Sequence, residues 1–340
     1  MRGPLGVTSA SFAALGPHKA VAAARWAAEL DYDSFWVAET TGPEAFSTLA
    51  AAGAATDATD GRGRSPALGT GVLALQLRDP ALTAMGAATL AALHPGRDVL
   101  VGVGVSSPVV TTRWHGVPYG TRPLGRVREF VEVLQACLSG DAVSHDGEHY
   151  HLDRFRLGVR LGDQRPKIVL GALNARMLAL AGEVADGVLL NYLPASAVPW
   201  CVEQVRAGER TAGRAEGSCT VYAYVHVGVC ERPDGIDAAR RDLFSYVVVD
   251  AYADAFRRAG FDAEVAAVRA AHAARDRDAA LAAVSDAMVD AIDIMGDADH
   301  VRASVAAYRE AGVDHPVVMP LPWGPDRMGV VRATMEAAAS

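Results

Sequence analysis

The chain has 340 residues, a net charge of −8, and 51% hydrophobic against 21% charged residues, enough apolar material for a large buried core. The acidic balance argues against nucleic acid or an anionic membrane as the main partner. No apolar run reaches membrane-spanning length, and the opening MRGPLGVTSA starts a strand rather than a signal peptide.

In chain order, short β-like runs alternate with amphipathic helices. A strand over 4–8 precedes a helix over 17–30, and a strand over 34–39 precedes a helix over 44–56. TDATDGRGRSP reads as a polar surface loop by its Gly, Asp and Pro content. A strand over 67–75 and a helix over 79–93 follow, then a strand over 98–103 and a helix over 123–139. The segment HDGEHYHL carries the hairpin signal Asp146-Gly147 and reads as an insertion. Further strands fall at 167–171, 186–191, 219–229 and 313–319, with helices at 174–183, 196–210, 297–311 and 326–338. Residues 232–295 read as a helical excursion too long for one crossover. Eight βα units in this length predict a closed (β/α)8 barrel. One domain over 1–340 with a helical insertion at about 230–295 is expected.

The most informative stretch is DVLVGVGVSSPVVTTRWHGVPYGTRPLGR. A buried parallel strand ends at Gly104, Ser106 and Ser107 and enters a loop bearing Trp114, His115, Arg122 and Arg126. In α/β proteins the carboxyl ends of strands are where ligands bind. Gly69 and Gly71 inside one strand suggest either a flat ring lying against backbone or relief of crowding in the barrel. Asn174 is a candidate N-cap at a strand-to-helix turn, where free amides bind phosphate, and Arg176 could add charge. Glu39 and Thr40 end the second strand, where Glu39 could bond a ligand or pair with an arginine.

Several chemistries lack support. No GxGxxG or GxxxxGK[ST] follows a strand, and Ser106 and Ser107 lack a nucleophile elbow. His145, His149 and His151 beside Asp146 and Glu148 read as a solvated hairpin rather than a metal site, so no metal is expected. Cys137, Cys201, Cys219 and Cys230 show no CxxC pairing and read as thiols of a cytoplasmic protein.

SFWVAETTGPEAF, LGTGVLALQLRDPALTAMGAATLAAL, VGVGVSSPVVTTRWHGVPYGTRPLGRVREFVEVL and GALNARMLALAGEVADGVLLNYLP, in this order and spacing, resemble the luciferase-like monooxygenase superfamily. More narrowly, the chain resembles its oxidoreductases that use the deazaflavin coenzyme F420. The resemblance covers roughly residues 1–195, with VDHPVVMP near the end also fitting. It implies a TIM barrel with the ring at the carboxyl face and a non-prolyl cis peptide behind it, here at Gly71-Val72. It implies phosphate contacts at Leu173, Asn174, Ala175 and Arg176, with Ser106 and Asn191 also at the coenzyme site. A homodimer is expected by the same likeness.

One departure sets the chemistry. The family's alcohol and sugar-phosphate dehydrogenases carry a His at the end of strand two, and the sugar-phosphate enzymes also carry a Glu after strand four. Here those positions are Thr40 and Ser107, so the base for alcohol oxidation is missing where it is expected. The resemblance therefore implies a reductase using reduced F420 on an activated C=C or C=N bond of a small-molecule or peptide substrate. Glu39, Thr40, Ser107 and His115 are its candidate catalytic residues. The alternatives are an FMN-dependent monooxygenase and a non-catalytic coenzyme-binding homologue.

Overall fold

The computed structural model describes residues 3–57 and 65–340. The loop read in TDATDGRGRSP falls mostly outside the described residues, at 58–64. Eight parallel strands form the barrel: β1 Gly6–Thr8, β2 Ser34–Val37, β3 Ala67–Thr70, β4 Val99–Gly104, β5 Lys167–Gly171, β6 Gly187–Leu190, β7 Thr220–Val229 and β8 His315–Pro320. Each pairs in parallel with the next, and β8 closes on β1 through Gly6 opposite Val317. The (β/α)8 expectation holds.

Both faces of these strands are buried, which is why they read as continuous apolar runs. Outward residues such as Val101, Val103, Ile168 and Leu170 pack under the helices. Inward residues Trp36, Leu100, Val169, Leu189, Tyr222, Tyr224, Val317 and Met319 fill the barrel itself. The helices start where the sequence supplies caps. Asp79 accepts from the Leu82 amide at 2.8 Å and opens Pro80–Leu93, with proline in its first turn. Among the described residues no helix is long and apolar enough to cross a membrane.

Three elements differ from expectation. The strand expected over 67–75 breaks after Thr70 and resumes as Leu73–Ala74, which pairs with β4. The loop after β4 contains a π-helical turn, Val109–Trp114. The excursion is five helices, from Arg232–Val247 to Asp286–Ile292, and it ends in a short strand, Ile294–Gly296, on the edge of β7. These helices carry an apolar cluster of their own, with Leu243, Phe256, Val265, Met288 and Ile292 buried around Tyr192.

Candidate active site

The carboxyl ends of the strands meet at one mouth, and its floor is built from backbone. Between the two pieces of the third strand the Gly71-Val72 peptide is cis, as the resemblance implies. The Gly71 carbonyl accepts a hydrogen bond from the Tyr224 hydroxyl on β7 at 2.8 Å. Gly69 has the other role left open above: a Cβ there would lie 2.6 Å from the Trp36 ring, so this glycine relieves crowding inside the barrel. Val72 turns toward the neighbouring strand ends. A Cβ on Gly104 would stand 3.0 Å from Val72 Cγ2, and one on Gly171 would stand 3.5 Å from both Val72 methyls. Three adjacent strands thus end in one valine flanked by two positions with no side chain. The two glycines leave room for Val72 and present backbone rather than side chains beside it.

At the end of β2 the expected residues divide. Arg78 donates to both oxygens of Glu39, from Nε at 3.1 Å and from the terminal nitrogen at 3.0 Å, and the Ala45 amide donates to Oε2 at 3.0 Å. Glu39 therefore takes the arginine-pairing alternative and meets the start of the helix Ala45–Asp57. The exposed Thr40 accepts at its carbonyl from His115 Nε2 at 2.7 Å, which joins β2 to the segment after β4. The Ser106 amide donates to the side chain of Gln76 at 3.3 Å. Ser107 Oγ accepts from the Val110 amide at 3.3 Å and caps the π-helical turn. Its hydroxyl proton is still available to donate.

At the end of β5, Asn174 Oδ1 accepts from the Met177 amide at 3.0 Å and caps the helix Ala175–Val184. Arg258, from the excursion, donates to the Leu173 carbonyl at 2.7 Å and lies 4.6 Å from the Trp200 ring. A helix N-terminus and two arginines, Arg176 and Arg258, therefore share this corner, which suits an anionic group.

Arg122 and Arg126, from the segment after β4, both have partners on the hairpin. Arg122 pairs with Glu148 at 2.8–2.9 Å, and Arg126 donates to the Tyr150 hydroxyl at 3.1 Å, so both fasten the helix Pro123–Leu138 to the hairpin. Trp114 stays 58% exposed at the rim. The hairpin histidines make separate pairings: His145 with Glu129 at 3.1 Å and His151 with Asp146 at 2.8 Å. Burial pushes the thiols of Cys137, Cys201 and Cys230 up to about 11 and that of Cys219 to about 12, which makes them poor nucleophiles.

Asn191, after β6, belongs to a network under the excursion. Its Oδ1 meets His226 Nε2 at 2.8 Å and the Tyr192 amide at 3.0 Å. His226 Nδ1 lies 3.0 Å from Asp293 Oδ1, and the Tyr192 hydroxyl donates to Asp242 at 2.7 Å. Burial, only partly countered by Asp242, brings the His226 imidazole down to about 4, so the ring is neutral. Burial, reinforced by Asp293, pushes Asp242 up to about 7, and burial alone holds Asp293 well above the usual carboxylate range.

The sequence reading missed Tyr224, His226, Asp242, Asp293 and Arg258. A signal existed for two of them. Tyr222, Tyr224 and His226 alternate along β7 with period two, which sends three polar-tipped side chains to its inner face.

The luciferase-like monooxygenase family model matches residues 4–315. The 5,10-methylenetetrahydromethanopterin reductase of Archaeoglobus fulgidus is 32% identical over 269 residues, covering 78% of this chain and 79% of that one. A coenzyme F420-dependent oxidoreductase of Mycobacterium tuberculosis is 30% identical over 316 residues, covering 86% and 88%. Among solved structures, the coenzyme F420-dependent tetrahydromethanopterin reductase of Methanopyrus kandleri superposes with a TM-score of 0.82 at 23% identity, covering 100% of this chain and 98% of that one.

Proposed function

We infer, from a chain that belongs to the luciferase-like monooxygenase family and has coenzyme F420-dependent oxidoreductases as relatives, that this protein is a reductase. It takes F420 in the reduced form and acts on an activated C=C or C=N bond of a small-molecule or peptide substrate. The strand ends at Val72, Gly104 and Gly171 would take the deazaflavin ring, because the two positions beside the valine carry no side chain. The amides of Ala175 and Arg176, with the Arg176 and Arg258 guanidiniums, would hold the coenzyme phosphate.

Reduced F420 supplies a hydride when bound. This chain supplies position and a proton. The observation that carries the reductase reading is that the one carboxylate at the end of β2, Glu39, is held by Arg78 and the Ala45 amide. Its neighbours Thr40 and Ser107 offer only hydroxyls, which are poor bases near neutral pH. Oxidising an alcohol needs a positioned base, typically worth about 10²–10⁴-fold in rate. Reducing a polarised double bond needs a proton late in the step, and the Ser107 hydroxyl can give it while its oxygen still caps the turn. His115 spends its Nε2–H on the Thr40 carbonyl and so closes one side of the mouth. Methylenetetrahydromethanopterin reductases among the relatives agree with the reductive direction.

The test is the direction of turnover. Reduced F420 mixed with the protein should be oxidised by activated alkenes or imines, and oxidised F420 should stay oxidised with glucose 6-phosphate or simple secondary alcohols. A robust alcohol oxidation abolished by His115→Ala would overturn the reading and make His115 the missing base.

A further inference from the structure

A second polar centre lies under the excursion, apart from the floor at Val72, Gly104 and Gly171. It draws His226 from β7, Asp242 from the helix Arg232–Val247, and Asp293 from just before the strand Ile294–Gly296. One ligand-type atom of each lies within 4.8 Å of the others. His226 and Asp293 are almost completely buried.

The hydrogen bonds around this centre fix its polarity. The Tyr192 amide donates to Asn191 Oδ1 at 3.0 Å, which identifies that atom as the oxygen. His226 Nε2, 2.8 Å away, must therefore be the donor in their contact. A neutral imidazole with its proton on Nε2 presents a bare lone pair at Nδ1. With Asp293 ionised, that lone pair faces Oδ1 at 3.0 Å, acceptor against acceptor. Asp293 Oδ2 is buried with no partner at all. Asp242 is oriented from outside by the Tyr192 hydroxyl at 2.7 Å.

We propose that His226, Asp242 and Asp293 form a binding site for a first-row divalent transition-metal ion, of which Zn²⁺ and Mn²⁺ are the test cases. Two ligand atoms each about 2.1 Å from an ion stand about 3 Å apart at the right angle of an octahedral site and about 3.4 Å apart in a tetrahedral one, so the 3.0 Å between His226 Nδ1 and Asp293 Oδ1 suits Mn²⁺ directly and Zn²⁺ after a small spread. An imidazole nitrogen selects a transition metal over Mg²⁺ or Ca²⁺, and the two carboxylates balance its charge. The outer contacts have the pattern of a ligand histidine, whose second ring N–H donates to a carbonyl oxygen while a ligating carboxylate accepts a hydrogen bond. A proton on Asp293 Oδ1 would settle the contact with Nδ1 but leave Oδ2 orphaned, whereas an ion can engage both oxygens. The three ligands come from separate elements, so the ion ties the helical excursion to the barrel wall and rigidifies the side of the mouth that carries Asn191.

The full chain, purified and then dialysed against a chelator, should bind Zn²⁺ or Mn²⁺ at about one equivalent, read by elemental mass spectrometry, and its thermal midpoint should rise on rebinding. Asp293→Asn keeps the side-chain shape and gives His226 Nδ1 a donor. It should fold by circular dichroism and bind the ion on the order of 100-fold more weakly, since even an outer-contact change at a metal site costs about 10–100-fold. Wild-type protein that binds neither ion and shows no midpoint shift would overturn the proposal and leave protons as the neutralising charge, whatever the folding of the variant. Unchanged affinity in a folded Asp293→Asn would equally overturn it, because the ion would then sit elsewhere, with the hairpin pair His151 and Asp146 the first place to look.

Discussion

The two halves of the barrel mouth are built on opposite principles. On the β3–β5 side the strands end in Val72, Gly104 and Gly171, and what faces outward is backbone and one methyl pair. On the β6–β8 side nearly every polar group has been spent. Asn191 bonds Tyr192 and His226, each of these meets an aspartate, and Tyr224 donates to the Gly71 carbonyl. In the proposed function the first half receives the coenzyme ring and the second holds that floor in place. A bare floor must be rigid to be useful, because a coenzyme ring gains little from a surface that has to be ordered on binding.

The largest effect should come from filling the floor. Gly104→Val places branched carbon against Val72 on the β3–β5 side and leaves the polar half untouched. Coenzyme affinity should fall on the order of 100-fold, about 2.7 kcal/mol, while far-ultraviolet dichroism stays native. Wild-type affinity in that variant would mean that the ring lies elsewhere. A smaller effect should come from cutting the tie between the halves. Tyr224→Phe removes the donor to the buried Gly71 carbonyl and should cost about 1–3 kcal/mol in urea unfolding, with a modest loss of coenzyme affinity. A variant as stable as the parent would show that the two halves are independent.

The smallest effect concerns pH and the opposite, amino-terminal end of the barrel, where His315 Nε2 meets the Ser34 hydroxyl at 2.9 Å. Burial, partly countered by Asp33, brings His315 down to about 4 from 6.5, and Ser34 serves it as hydroxyl donor because Trp36 Nε1 already donates to Ser34 Oγ. The unfolded chain binds a proton there near pH 6.5 and the folded chain does not. This contribution is therefore full above pH 6.5 and is lost as pH falls toward 4. His315→Gln should flatten the thermal midpoint against pH over that window relative to wild type. Parallel curves for the two proteins would remove His315 from the account.

The two halves also differ in how far the sequence reveals them. Strands buried on both faces and helices opened by Asp79 and Asn174 leave local patterns, so the barrel was legible. The floor was legible in part: Gly71-Val72 and Asn174 stand in short motifs, but only the fold shows that Gly69 serves Trp36 while Gly104 and Gly171 flank Val72. Glu39 carried two readings because an ion pair with Arg78 joins residues from separate units, and sequence distance hides such partners. Of the second polar centre, His226 shows only in the alternation along β7, and Asp242 and Asp293 were not legible at all. The three converge from a strand, a helix and a loop, a spacing that no local periodicity encodes.

A deazaflavin ring on the glycine-flanked floor can be checked by a fluorescence titration of the wild-type protein with F420 and, side by side, with FMN. A saturable signal at one F420 per chain is expected, with FMN weaker by about tenfold or more, a difference of about 1.4 kcal/mol. FMN binding as tightly as F420, or no F420 binding at all, would contradict that assignment.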